Sequence, residues 1–150
     1  MRRALDLAVA NVERGLGGPF AALVLRDGEL IAEGANRVTA TNDPTAHAEV
    51  VAIREACRAL GHFQLAGCEI VTSCEPCPMC LGAIYWARPD RVYYAATHQE
   101  AAAAGFDDSL IYQEMKVPPR HRRIPLIHLP GVDGEAPFEA WNRKKDRIPY

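Results

Sequence analysis

The sequence predicts an α/β domain of three layers, α/β/α, around a central mixed sheet of about five strands. Two observations carry that expectation. Short β-rich runs alternate along the chain with helix-length segments, and no internal repeat, low-complexity tract or linker separates them. The length of 150 residues suits one domain with a single core.

The opening "MRRALDLAVANVERG" reads as an amphipathic helix, because its polar and acidic positions interrupt any signal-peptide core. "PFAALVLRDGELIAEGAN" gives two apolar runs joined by Asp27-Gly28, a dipeptide suited to a two-residue hairpin turn. "DPTAHAEVVAIREACRAL" is helical in period, with Ala48, Val51, Ala52, Glu55 and Ala59 at steps of three and four. Asp43 is placed to cap that helix and Pro44 to stand in its first turn. "CEIVTSC" is a strand, too short for a helix. "PMCLGAIYWARP" opens on a proline and stops before Pro89, which gives a helix. "RVYYAA" is a strand, "QEAAAAGF" a short helix and "IPLIHL" a late strand. Near the end, "PFEAWNRKKD" sets Phe138 and Trp141 on one helical face.

Composition excludes several classes. Hydrophobic residues make up 49% and charged residues 24%, an ordinary globular balance. A net charge of −2 creates no field that would draw the chain to nucleic acid or an anionic membrane. No apolar run approaches the ~20 residues of a spanning helix. Five cysteines is an odd count, and no export signal is visible, so a disulfide framework is not expected and the cytoplasm is the default.

Three of those cysteines crowd into "SCEPCPMCLG". Cys77 and Cys80 stand at i and i+3, which turns both sulfurs the same way at a helix start. Pro78 suits that first turn, and a helix N-terminus favours the thiolate that a metal requires. Redox motifs share the CxxC spacing, but "PTAHAEV" offers His47 as a third ligand at the start of another helix. Two thiolates and one imidazole match a catalytic zinc with an open fourth position rather than a closed structural site. Glu49 follows at i+2, roughly 200° around an ideal helix from His47. The two residues can share a site only if it lies over the helix end. Glu49 would then sit beside the open position, placed to take a proton from water. Such an arrangement suits hydrolytic removal of an amine from a ring carbon.

"HAE" followed by "PCPMC" resembles the HxE…PCxxC signature of the cytidine-deaminase-like zinc deaminases. The order of strands and helices is similar to that fold over nearly the whole chain. "NDPTAHAEVVAIR", "TSCEPCPMCLGAIYWARP", "AGFDDSLIY" and the "FEAW…Y" ending look like one branch, the bacterial guanine deaminases. The resemblance implies one zinc per chain, held by His47, Cys77 and Cys80, with Glu49 as proton shuttle. It implies that Asp108 helps protonate the departing amine. Asn36 and the amide of Ala48 would bind the purine, with Phe20 and Trp86 bordering its ring. It further implies one domain over residues 1–150, whose segment 137–150 is a lid that brings Tyr150 over the site, exchanged between the subunits of a homodimer. The activity implied is deamination of a free amino-purine base, guanine to xanthine plus ammonia.

Plainer readings stand beside these. Phe20 and Trp86 suit a core as well as a ring pocket. Asn36 could end the second strand in a turn, Asp107-Asp108 could cap the following helix, and Tyr150 could be a frayed terminus. Cys57, Cys68 and Cys74 read as packing residues. Two other functions share the motif. A tRNA adenosine deaminase has the same HAE and PCxxC core, but needs a basic face for phosphates, for which only "KVPPRHRR" and "RKKDR" are candidates. A non-catalytic zinc-stabilised binding domain would not need the carboxylate of Glu49.

Overall fold

The sheet grows from the Asp27-Gly28 turn. In the computed structural model, which describes residues 1–150, both turn residues have positive φ, 51° and 81°. That geometry matches a two-residue turn to the twist of its strands. Strands β1 (Ala21–Arg26) and β2 (Glu29–Ala35) are antiparallel, with Arg26 opposite Glu29. β1 also pairs antiparallel with β3 (Cys68–Cys74), and β3 pairs parallel with β4 (Arg91–Ala96). The order is β2-β1-β3-β4. The sheet is mixed, as expected, but it has four strands, one fewer than the sequence suggested. The run "IPLIHL" forms no strand. Pro125 and the following Pro130 lack the N–H that a ladder needs, and Ile124, Leu126, Ile127 and Leu129 are exposed.

Helices flank the sheet in a three-layer arrangement. Helix α1 (Arg2–Glu13) packs on β1 and β3 through Ala4, Ala8 and Asn11. A short helix α2 (Val38–Thr41), not anticipated from the sequence, follows β2. Helix α3 (Ala48–Leu60) packs on β2 and β1, and helix α4 (Pro78–Ala87) packs on α3. Helix α5 (His98–Ala103) opens on a capping box between Thr97 and Glu100.

Helix α3 starts later than Asp43-Pro44 implied, with His47 rather than Asp43 at its N-cap. The carboxylate of Asp43 is already committed: its Oδ1 accepts from the N–H and hydroxyl of Thr45 at 2.8 and 2.7 Å. This local turn ends the approach before the helix begins. Ala48, Ala52 and Ala56 are buried at four-residue spacing, so α3 presents a smooth stripe to the core of Ala22, Val24, Ile70 and Leu65. The approach is closest at Gly34 of β2. A Cβ there would lie 2.5 Å from the carbonyl oxygen of Ala48 and 2.5 Å from the nitrogen of Ala52.

The chain divides into two compact units, Met1–Leu110 and Ile111–Tyr150. The first holds the sheet and α1 to α5, and helix α6 (Ser109–Met115) straddles the boundary. The second contains a 3-10 turn at Pro119–His121 and helix α7 (Ala136–Arg143), the expected terminal helix, which carries Phe138 and Trp141.

Because backbone atoms, not a flexible side chain, oppose Gly34, a Gly34→Ala variant should lose about 1–3 kcal/mol of stability. Urea unfolding reads the loss as a lower midpoint. An unchanged midpoint would mean that α3 can lift from β2 at no cost.

Candidate active site

Two helix N-termini converge on one point. His47 is the N-cap of α3 and Cys77 the N-cap of α4, both in extended backbone (φ −67°, ψ 153° and φ −64°, ψ 166°). Pro78 occupies the first turn of α4, and Cys80 follows within that turn. Nδ1 of His47 lies 3.5 Å from Sγ of Cys77. Ligand atoms of His47, Cys77 and Cys80 all lie within 4.8 Å of one another. Glu49, in the first turn of α3, is only 6% exposed. Its Oε2 accepts the S–H of Cys80 at 3.4 Å. His47 and Glu49 therefore share a site that lies over the helix end.

The loop before α4 is held from the other side. Glu75 donates its backbone N–H to Ala96 at 2.8 Å. Its Oε2 accepts from the backbone N–H of His98 at 3.1 Å and pairs with Nδ1 of His98 at 2.9 Å. The Cys74 thiol donates to the carbonyl of Thr97 at 3.7 Å. These bonds staple the cysteine loop to the start of α5.

The site is partly buried, and its ionisable groups shift one another. The bond from Cys80 pulls the Cys77 thiol down to about 4, with His47 helping and burial opposing. Cys80 is pushed far above the usual thiol range by its bond to Cys77, then by burial and by the facing Glu49. The contact with Cys77 raises His47, and burial pushes Glu49 above the usual carboxylate range. Cys74 is pushed up to about 11, chiefly by burial, and its thiol turns to Thr97 rather than to the ligand group.

One imidazole nitrogen and two convergent sulfurs, one of them readily a thiolate, fit a zinc ion bound by three protein ligands. Positive ends of two helix dipoles favour the anionic sulfurs. His47 and Cys80 hold protons more tightly than usual, so metal must displace those protons. Affinity should therefore fall as pH falls, by about tenfold per pH unit for each proton released. Calorimetry in buffers of different ionisation enthalpy should detect that release when zinc is added at neutral pH. Elemental analysis should find the metal lost from His47→Ala and Cys77→Ala. Full occupancy in both variants would remove these residues from the ligand set.

The other expected residues fall in several places. Ala48 is the first residue of α3, where an α-helix leaves its N–H for an outside acceptor. Asp108 is half-buried, and burial raises its carboxyl, with the Cys77 thiolate adding to the effect. Asp107, not Asp108, performs the turn role: its Oδ1 accepts from the N–H of Ser109 at 2.9 Å. Phe20 meets Phe106 edge-on with ring centroids 4.9 Å apart. Trp86 lies roughly 9 Å along α4 from Cys80 and is 64% exposed. Tyr150, in the second unit, is also exposed. Asn36 is buried, and its Oδ1 accepts from the N–H groups of Gly18 and Val38 at 3.3 and 3.2 Å. Asn11, which the sequence reading passed over, bonds the backbone of this same loop. The available signal was a polar residue on the Ala4–Ala8 stripe of α1.

The cytidine and deoxycytidylate deaminase zinc-binding region matches residues 1–96. A guanine deaminase from Bacillus subtilis is 55% identical over 150 residues, which is 100% of this chain and 96% of that protein. The X-ray structure of guanine deaminase from that organism superposes with a TM-score of 0.97, covering 99% of this chain and 95% of that one. A solved guanine deaminase from Nitrosomonas europaea is 40% identical with a TM-score of 0.68, covering 71% of this chain and 62% of the other. A tRNA-specific adenosine deaminase from Agrobacterium fabrum is 45% identical over 85 residues, spanning 57% of this chain and 56% of that protein. Both helix starts that meet at His47 and Cys77 fall inside the matched region, and the chain belongs to the zinc-binding cytidine and deoxycytidylate deaminase family.

Proposed function

We propose that this chain is a zinc-dependent aminohydrolase that converts guanine to xanthine and ammonia. The observation that carries this reading is a buried carboxylate, Glu49, set beside the three metal-ligating side chains without being one of them. A domain that used zinc only for stability would have no use for an ionisable group there. Full-length similarity to a guanine deaminase supports the free base as substrate. The similarity to the Agrobacterium tRNA deaminase covers little more than half of the chain.

His47, Cys77 and Cys80 would hold a zinc ion, which would supply Lewis acidity and bring the pKa of water toward neutrality. Glu49 takes the proton from the attacking water and returns it to a ring nitrogen as the oxygen bonds the carbon bearing the amine. Its raised pKa suits a group that must both take and give a proton. Asp108, raised by burial, relays the proton left on the new hydroxyl to the amine as the C–N bond breaks, so that a carbonyl forms and ammonia leaves. Asn36 and the N–H of Ala48 hold the polar edge of the purine, and Phe20 and Trp86 border its faces. Glu49→Gln keeps the size of the side chain but not the shuttle. It should retain zinc and fold while losing about 10²–10⁴-fold in kcat. Ammonia release from free bases, nucleosides and tRNA would check both rate and substrate, and near-normal turnover of guanine would remove Glu49 from its role.

The reading extends to a cytoplasmic homodimer in which residues 137–150 of one copy cover the site of the other. Ile111–Tyr150 is a unit of a size that seldom buries a sufficient core alone. Its Phe138, Ile148 and Tyr150 are exposed, which supports a partner surface. All five cysteines are unpaired, in keeping with a reducing compartment, and no helix is long and apolar enough to cross a membrane. A small base must be enclosed for affinity and water exclusion. Deleting Asp146 to Tyr150 should therefore raise KM and lower kcat for guanine with zinc content unchanged. Normal kinetics in the truncated enzyme, or a preference of the intact enzyme for tRNA, would remove the lid.

A further inference from the structure

We infer that Asn11 is a positioning residue that fixes which group of the Asn36 amide a purine meets, so that the site reads a hydrogen-bond acceptor on the ligand. It rests on the reading of Asn36 as a purine contact.

Asn11 lies on the inward stripe of α1 with Ala4 and Ala8 and is 4% exposed. A buried amide must find partners for its N–H groups. Nδ2 of Asn11 has two donors, and it meets two backbone carbonyls, those of Gly18 and Asn36, each at 2.9 Å. One precedes β1 and the other follows β2, so Asn11 ties the two strands together beyond the last ladder pair, Ala21 with Ala35. A bond from the N–H of Asn36 to the carbonyl of Phe20, 3.0 Å, completes the tie. Packing leaves little slack: a Cβ on Gly17 would lie 2.2 Å from the carbonyl oxygen of Asn36.

The consequence is felt at the Asn36 side chain. With its carbonyl held, Gly18 aims its N–H at Oδ1 of Asn36 from 3.3 Å, and Val38 aims a second from 3.2 Å. Both lone pairs of that oxygen are then used. Turning the amide over would set an NH2 group against two N–H donors, so the orientation is determined by the loop. The NH2 group is what remains for a ligand. It selects a carbonyl oxygen or an unprotonated ring nitrogen and disfavours a ring edge that carries its own N–H.

Steady-state kinetics of the zinc-loaded, full-length enzyme with guanine test this through a double-mutant cycle. Asn36→Ala should raise KM by about tenfold or more. Asn11→Leu, close in size but without donors, should raise KM by about three- to tenfold while kcat and zinc content stay close to wild type. Adding Asn11→Leu to Asn36→Ala should cost nothing further. Multiplied effects in the double variant, or a parallel loss of kcat and zinc in Asn11→Leu, would mean a general structural role and overturn the inference. If Asn36→Ala raises KM but Asn11→Leu does not, only the role of Asn11 fails; if Asn36→Ala leaves KM unchanged, the reading of Asn36 fails with it. Should Asn11→Leu not fold, Asn11→Ser keeps one donor and should give a smaller rise in KM. Asn36→Asp keeps both backbone bonds but offers oxygen in place of NH2, and should match the loss in Asn36→Ala. A near-normal KM in Asn36→Asp would overturn the acceptor preference.

Discussion

The meeting of two helix N-termini is the constraint on which the site depends. His47 and Cys77 are both N-caps, so their side chains stand where each helix leaves its backbone donors open and its dipole positive. That environment lowers the cost of gathering sulfur anions in a partly buried place. Neither helix could supply the site alone. α3 brings an imidazole and a carboxylate, and α4 brings two sulfurs, so the relative placement of the two helices sets the chemistry.

Packing secures that placement from two directions. On one side, the alanine stripe of α3 and the bare backbone of Gly34 allow helix and strand to approach as closely as backbone atoms permit. On the other, the bonds of Cys74 and Glu75 to Ala96, Thr97 and His98 hold the loop that enters α4. The first is a steric limit and the second a set of directed hydrogen bonds. Together they resist different displacements, sliding of α3 and rotation of the loop.

Hydrogen bonding and burial then shift the ionisable groups in opposite directions. Cys77 loses its proton readily because Cys80 hydrogen-bonds to it, while Glu49 keeps a proton longer than an exposed carboxylate because little water reaches it. The same region thus holds a sulfur that could bind a metal and, beside it, a carboxyl of raised pKa. A third polar element, the Asn11–Gly18–Asn36 loop, uses no charge. Its donors and acceptors are matched almost one for one, which gives it direction without an electrostatic cost.

Local chemistry settled much of this from the sequence by itself. Asp27-Gly28 specified its hairpin, Pro78 the start of α4, and the i, i+3 spacing of Cys77 and Cys80 a shared direction for two sulfurs. Those are effects of neighbouring residues on backbone torsion and side-chain direction, so a linear reading contains them. Asp43-Pro44 misled because Thr45 took the carboxylate, and "IPLIHL" misled because β-like composition supplies no pairing partner. Only the tertiary structure decided that Glu49 reaches Cys80 and that Asn11 and Asn36 share one loop. Each depends on where separate segments come to rest against one another, and close packing of the whole chain, not the spacing of residues along it, sets those distances.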